Sequence, residues 1–473
     1  MIGRPFGGRP AVSTRRFWTL FLSLALVRRV RVVMETVEAY LIRKREELGL
    51  LNSFLGNPLT IRHPKSVAEV IEQKFHLAAA LKAEHELKDW ALTETAWTHS
   101  RRPRSGPFEF EYDYQRADLE VRGPSFYSLE NGAHGETVYT ASGMAAISAL
   151  LMALAPVLSE ADIVIGPNSY GETIELIDSH AKHLRRVELD SLLGKIALSR
   201  DGRSRVLLID SCTPAVGFEA TLQSAQPCID LIIFDTTCFA GGSKRIGRVL
   251  RWARNAMIPV VMVRSHNKLD SLGVEYGRLG SVVFIEGPAQ RDGAKPQLLQ
   301  RLLAETRNAV RLFGGAALPA HFPPYVGGTG YRRLTDRRVA MMLRNSRRTA
   351  HHFSICLAGL TNELHFAHGL YVTLAPARKL DENEARDLAV ELCDDLGRAG
   401  LPLRHAGSFG FDFGAAEWCY DRIGDRYVVR LAIPDLPSTA WDEVTSAVAA
   451  WWGARAGGEV KPDATRASTL VST

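Results

Sequence analysis

The chain has 473 residues, 46% of them hydrophobic, which suffices for a large buried interior but exceeds what one core supports, since single cores stop growing at about 250–300 residues. Its formal charge of +6 is local: residues 1–33 carry seven arginines and no acid, leaving 51 basic against 52 acidic residues elsewhere, so the body gives no electrostatic reason to expect a nucleic-acid partner. Six cysteines without a C-x-x-C pair, several inside apolar runs, argue against a disulfide framework and for reduced thiols in the cytoplasm.

Residues 1–33 read as a leader or an annotation extension, with translation opening at Met34. The apolar run Phe17–Val27 is flanked by arginines and falls short of the roughly 20 residues that span a bilayer, so no membrane association is expected. Residues 34–135 form an N-terminal helical segment and linker: "SVAEVIEQKFHLAAALKAEHELKDWAL" has helical spacing behind Pro64 and Ser66, and the text from Arg101 to about Gly135 is punctuated like a loop. From 136 to 296, short β-branched runs alternate with helical segments: "TVYT" before "SGMAAISALLMALA", "DIVIG" before "YGETIELIDSHAKHL", then "RVLLID", "DLIIFD" before "KRIGRVLRWARNA", "PVVMVRS" and "SVVFIEG". Strands that are apolar throughout and separated by helices predict an α/β unit with a large, mostly parallel sheet covered on both faces. Residues 297–455 read as an interdomain helix and a smaller C-terminal α+β unit containing "LYVTLAP", "DENEARDLAVELCDDLGRAG", "GSFGFDF" and "YVVRLAIPD"; residues 456–473 read as a disordered tail.

In a parallel sheet the ligand site lies beyond the carboxyl ends of the strands. Four such ends carry distinctive groups. At "TASGMAAI" a strand breaks at Ser142 and Gly143 and a helix begins, which is either a plain N-cap or an anion site on the helix N-terminus. In "GPNSYGET", Tyr170 stands just past a strand, where its ring has a flat face to offer. Asp235 ends "LIIFD" and either caps the following loop or faces a cation. Lys268 follows "PVVMVRS" with Ser265 and Asn267 before it, and a desolvated lysine is a good amine nucleophile toward a carbonyl. One cofactor uses all of these: pyridoxal phosphate takes a lysine for its aldehyde, a carboxylate for its ring nitrogen, an aromatic face for its ring and a helix N-terminus for its phosphate.

The same segments resemble the fold-type I pyridoxal-phosphate enzymes, nearest the cystathionine synthase and lyase (Cys/Met metabolism) branch, over roughly residues 136–450. "SGMAAISALL" is similar to that branch's phosphate-binding segment, assigning Ser142, Gly143 and Met144 to the cofactor; "SYGET" resembles its Tyr-Gly-Gly-Thr and gives Tyr170 the ring-stacking role. "FDTTCF" resembles its Asp-Asn-Thr-Phe, making Asp235 the pyridinium partner, and "SHNKLDSLG" resembles its Ser-x-Thr-Lys, pointing to Lys268 as attachment residue with Ser265 and Asn267 at the phosphate. "YVVRLAIPD" is similar to the segment whose arginine holds the substrate α-carboxylate, so Arg430 inherits that role. The resemblance implies the aspartate-aminotransferase-like fold, with a mostly parallel seven-stranded sheet and a smaller α+β unit, and a homodimer or homotetramer. It implies β/γ-elimination or replacement on an amino acid, with an aminotransferase, or a non-catalytic cofactor-binding relative, as the alternatives. Two segments depart from the family. "IDSCTP" places Thr213 where an asparagine would meet the cofactor's phenolic oxygen, and the usual Tyr-Ser-Arg is missing, with "YDYQR" (Tyr112, Tyr114, Arg116) as its candidate replacement across a subunit interface.

Three other features are set aside. Lys244 lies only nine positions after Asp235, too few for a crossover to the next parallel strand. The pairs His180/His183, His351/His352 and His365/His368 lack the context of a metal site, and none is expected. "VGGTGY" follows a Pro-rich loop rather than a strand and reads as a connector in preference to a mobile segment near the site entrance.

Overall fold

The structure, a computed structural model, describes residues 35–90, 104–111, 120–129, 135–166, 169–189, 202–210, 212, 229–285, 294–358, 361–364, 369–376 and 378–456. The expected leader, Thr213, the segment Tyr112–Arg116 and the tail beyond 456 lie outside these residues. No helix among the described residues is long and apolar enough to cross a membrane.

The described residues begin with two helices, α1 (Val37–Asn52) and α2 (Val67–Trp90). At the start of α2 the Ser66 hydroxyl accepts the Glu69 N–H and the Glu69 carboxylate accepts the Lys65 N–H, so side chains satisfy donors that the first turn leaves unpaired. The stretch expected to be linker contains a three-stranded antiparallel sheet, β1 (Arg104–Ser105), β2 (Phe108–Glu111) and β3 (Glu120–Arg122). The reason is the period-two alternation of "FEFE": Phe108 and Phe110 point inward against Phe126 and Phe322, while Glu109 between them and Glu111 after them lie on the opposite face.

The large sheet has seven strands: β4 (Gly135–Thr140), β5 (Ala161–Ile165), β6 (Leu184–Glu188), β7 (Ser204–Ile209), β8 (Leu231–Asp235), β9 (Val260–Ser265) and β10 (Gly280–Ile285). Their spatial order is β4-β10-β9-β8-β7-β5-β6; β5 to β9 are mutually parallel and β10 runs antiparallel to both its neighbours. β4 therefore points the same way as β8 and β9, and all three finish at one edge of the sheet. Helices α3 (Gly143–Val157), α4 (Gly171–His180), α5 (Lys244–Asn255) and α6 (Ala294–Phe313) cover it. Alternation decides the faces: Ile163, Val206 and Val261 pack with α3, α4 and α6, whereas Val164, Leu207 and Val260 pack with α5. With both faces covered, the central strands carry no polar residue in their middles. The edge strand β6 is the one the apolar pattern misses; the helix expected over 170–184 stops at His180, and "LRRVE" pairs with β5. Its arginines blunt the edge, and Arg185 grips Asp162 through Nε and Nη2 at 2.9 and 2.8 Å.

The 28-residue helix α7 (Thr329–Cys356) sets its first turns among the aromatics around Tyr325 and its last among the core of a second sheet. "VGGTGY" is the lead-in and first turn of α7, with Gly327 at φ +95° where a Cβ would strike Pro124. The second sheet has the order β11-β12-β15-β14-β13, from β11 (Thr361–Leu364), β12 (Tyr371–Leu374), β13 (Leu403–His405), β14 (Gly414–Asp421) and β15 (Arg426–Ala432). It is flanked by α8 (Glu382–Arg398), which opens on an Asp381/Glu384 capping box, and α9 (Ser438–Ala456). "GSFGFDF" forms no strand; it is the loop before β14, turned by Gly410 at φ +92°.

Candidate active site

Beyond the carboxyl ends of β4, β8 and β9 lies a cavity of about 330 Å³. Ser142, Gly143, Met144, Tyr170, Asp235, Ser265, Asn267, Lys268 and Arg430 all line it, so every site residue expected from sequence that falls among the described residues is brought to one place. Lys244, by contrast, stands exposed at the start of α5. Among the described residues no cluster of three or more His, Cys, Asp or Glu is arranged to hold a metal ion.

Each wall follows from local structure. The N-terminus of α3 opens on the cavity, with Ser142 as its cap: the hydroxyl accepts the Ala145 N–H at 3.0 Å. The cap and the cavity wall are thus the same residue. Gly143 has no room for a side chain, because a Cβ would lie 2.7 Å from the Ser265 Cβ; a glycine lets the ends of β4 and β9 meet. Ser265 donates its N–H to the Thr237 hydroxyl, and the Asn267 side-chain carbonyl accepts the Leu279 N–H, which leaves the amide N–H₂ of Asn267 for the cavity.

Asp235 closes β8. Its Oδ1 accepts the Thr237 N–H at 2.8 Å, so it does cap the following turn. Burial pushes its carboxyl up to about 6, the nearby Asp210 carboxylate adds to this, and the hydrogen bonds of Thr237 and the charge of Arg264 offset only part. A buried acid so disposed favours a cation brought against it.

Lys268 follows β9 and caps the 3₁₀ turn Leu269–Ser271. Its Nζ donates to the Ser408 hydroxyl and stands 5.7 Å from the centre of the Phe409 ring. Among the described residues no carboxylate reaches it at ion-pair distance, and burial lowers its pKa from the ordinary lysine value, with Glu275 acting in the opposite direction. Gly410 backs directly onto it: a Cβ there would sit 2.5 Å from the Lys268 carbonyl oxygen. Tyr170 precedes α4 and donates its N–H to Asp210; burial and the neighbouring Glu172 hold its phenol protonated.

Arg430, on β15, comes from the second sheet. Its Nε donates to Glu417 Oε1 at 3.0 Å, its Nη2 donates to the same oxygen, and its guanidinium lies 4.4 Å over the Tyr371 ring. Glu417 is its cross-strand partner on β14. A carboxylate that comes to Arg430 therefore meets a guanidinium already engaged along one edge. Sequence reasoning missed Glu417, Tyr371, Ser408, Phe409, Glu275 and the thiols Cys212 and Cys238. The alternation of "GAAEWCYD" marks a strand, but nothing in it says that its glutamate pairs with Arg430.

No family model matches the chain, and no curated protein matches it. Solved structures do. A cystathionine gamma synthase from Xanthomonas oryzae pv. oryzae, in complex with cystathionine, is 18% identical over 79% of this chain and 98% of its own, with a TM-score of 0.48. A methionine gamma lyase from Micromonospora echinospora is 16% identical over 66% of this chain and 81% of its own, with a TM-score of 0.43. Likeness at this level assigns neither reaction nor cofactor, because one fold hosts many chemistries; those rest on the residues of the cavity.

Proposed function

We propose that the cavity holds pyridoxal phosphate and that the protein is a pyridoxal-phosphate-dependent enzyme. In this reading it eliminates or replaces a β- or γ-substituent of a sulfur-containing or O-activated amino acid. One observation carries the reading: a desolvated amine (Lys268), a desolvated carboxylate that has no cationic partner at hydrogen-bond distance among the described residues (Asp235) and an open helix N-terminus (Ser142–Met144) converge on one cavity from three different strand ends. The donor set fits the cofactor. Backbone N–H groups at Gly143 and Met144, the hydroxyls of Ser142 and Ser265 and the amide of Asn267 suit a phosphate, and Asp235 suits a protonated ring nitrogen. Bound there, the cofactor supplies an electron sink for a bond broken at a substrate Cα.

The chain's own residues then have distinct tasks. Lys268 is the base that takes and returns protons beside Cα, and the burial that lowers its pKa from the ordinary lysine value favours the neutral amine this task needs. Tyr170 offers a ring face and a protonated phenol near the leaving group. Arg430 holds the substrate carboxylate, which fixes which Cα bond is presented. A cytoplasmic homodimer or homotetramer goes with this reading, and sedimentation at working concentration checks the assembly.

The test is a spectral screen. Purified protein loaded with pyridoxal phosphate should show the absorption of a lysine-bound aldehyde, and O-activated homoserines or sulfur amino acids should perturb it and release 2-oxo acid, thiol or replacement product. A stable conversion to the aminated cofactor by an amino acid alone would point to aminotransfer. No perturbation by any amino acid would contradict the reading.

The Arg430–Glu417 pair makes a further expectation. A substrate carboxylate at Arg430 is repelled by Glu417, whereas glutamine keeps an acceptor for the guanidinium without the charge. Glu417→Gln should lower KM for amino-acid substrates about tenfold, worth about 1.4 kcal/mol, with kcat little changed. Steady-state kinetics check it, and a raised KM would show that Glu417 aligns the arginine rather than competes for it.

A further inference from the structure

Beneath the Lys268 turn lies a cluster of charges the proposed chemistry does not use. Lys44 and Glu47 on α1, Lys74 on α2, Arg338 on α7, and Asp412 and Asp435 are each no more than 3% exposed. They interlock: Lys44 meets Asp412 at 2.5 Å and Asp435 at 2.9 Å, Lys74 meets Glu47 at 2.5 Å and Asp412 at 2.8 Å, and Arg338 meets Asp412 at 2.6 Å and Glu47 at 3.1 Å. Ions taken this far from water are costly, and a packed apolar core of the same volume stabilises a fold as well or better. What the cluster specifies beyond stability shows where it touches backbone.

It touches the two segments that hold Lys268. Lys74 donates to the Leu272 carbonyl at 2.5 Å, and Arg338 donates to the Gly410 carbonyl at 2.8 Å. Gly410 is the residue packed on the Lys268 carbonyl, two positions past Ser408, which accepts from the Lys268 amine. The turn after Lys268 is gripped at three successive carbonyls: Tyr331 donates to that of Asp270 at 3.0 Å, Tyr325 to that of Ser271 at 3.2 Å, and Lys74 to that of Leu272. This turn does not relax into that shape by itself. Leu272 stands at φ +53° and Gly273 at φ +82°, and a Cβ on Gly273 would run into the Arg338 guanidinium and the Asp412 carboxylate. A non-glycine residue in the left-handed region persists only where its surroundings over-determine it.

We propose that Lys74, Tyr325 and Tyr331, with Arg338 on the facing loop, are positioning residues that fix the backbone of the Lys268 turn so that the amine keeps its place in the cavity. The proposal rests on the reading of Lys268 as the cofactor-attaching residue. A lysine that is bound to a cofactor in one step and free to carry protons in another needs a base that does not move with it, and displacement of a catalytic group by about 1 Å costs on the order of a hundredfold in rate.

The variants are Tyr325→Phe, which removes one donor and no charge, Lys74→Met, and Arg43→Met as comparison. Arg43 belongs to the same ion cluster through Glu47 and Asp435, but none of its hydrogen bonds reaches residues 268–273. Two measurements are made on each. The first is kcat and KM of the cofactor-loaded enzyme. The second needs no cofactor: the pH profile of reductive methylation at Lys268 in cofactor-free protein, mapped by peptide mass. Tyr325→Phe and Lys74→Met should lower kcat about tenfold or more with KM within about threefold, and should move the Lys268 methylation midpoint upward as the amine gains water. Arg43→Met should lose as much thermal stability as Lys74→Met or more and leave both measurements at wild-type values. The proposal is overturned if the Lys268 midpoint stays in place in Tyr325→Phe, or if Arg43→Met moves it as far. Tyr325→Phe decides alone should Lys74→Met not fold. Failure of the cofactor reading looks different: wild-type protein takes up no pyridoxal phosphate, while the methylation profiles still report on the turn.

Discussion

Lys268→Ala is expected to abolish covalent attachment of the cofactor and to lower turnover by at least about 10³-fold, while the protein keeps its fold. The size follows from two losses at one atom. Without the amine there is no nucleophile to take up the aldehyde, and no base beside Cα, where a positioned general base alone is worth about 10²–10⁴ in rate. The fold should survive because the Lys268 side chain supports little structure: its hydrogen bond goes to the Ser408 hydroxyl and its other contact is with the edge of the cavity at Phe409. Its backbone, held by Gly410 and the following turn, is unchanged by the substitution. Absorbance, steady-state rate and circular dichroism read the three outcomes separately. Full turnover in Lys268→Ala would end the present reading.

Asp235→Asn should have opposite effects on the cofactor-free and the loaded protein. With its folded-state pKa raised to about 6 from an ordinary 3.8, the carboxyl binds its proton more tightly folded than unfolded. Its contribution to stability is therefore fully present below about pH 3.8 and is lost as pH rises through 6, so that at pH 7.5 the ionised group costs about 2–3 kcal/mol. Asparagine has no charge to desolvate and can still accept the Thr237 N–H. Cofactor-free Asp235→Asn should accordingly be the more stable protein at pH 7.5, by a few degrees in Tm, and should lose that advantage toward pH 4. Loaded with pyridoxal phosphate the order reverses in function: the carboxylate's charge is what keeps the ring nitrogen protonated, and kcat should fall by about 10² or more. Thermal melts across pH with and without cofactor, with steady-state rates, check both halves. A cofactor-free variant less stable than wild type at pH 7.5 would show that Asp235 serves as a turn cap and little else.

The residues at the ends of strands were legible in the sequence because a strand buried on both faces writes an uninterrupted apolar word, and the first polar letter after it marks the sheet edge. Asp235 after "LIIF" and Lys268 shortly after "VVMVRS" are of this kind, as is the serine–glycine break at 142 and 143. Arg430 was different: "YVVRLAIPD" reads as a strand, but its arginine was singled out through a resemblance and not through any pattern of its own. Tyr371, which lines the cavity, and Glu417 and Ser408, which bond to Arg430 and Lys268, stayed hidden because they come from a second sheet and its loops, more than a hundred residues along the chain from Lys268, and one sequence does not say how two sheets are set against each other. The strand β6 was lost for the opposite reason to β8: an edge strand protects itself with charge, and "LRRVE" looks like the polar end of the helix before it. The aromatic sheet at 104–122 was readable in the alternation of "FEFE", but the prolines and glycines on both sides of it argued for a loop.

The most direct test of the account is borohydride reduction of the pyridoxal-phosphate-loaded protein followed by peptide mapping. Reduction makes the link between cofactor and amine permanent, so the modified peptide names the residue. The account predicts the pyridoxyl group on Lys268, in stoichiometric yield, and its absence from Lys268 in Asp235-intact protein pre-treated to block that amine. A label found on Lys244 or any other lysine, with Lys268 unmodified, would contradict it.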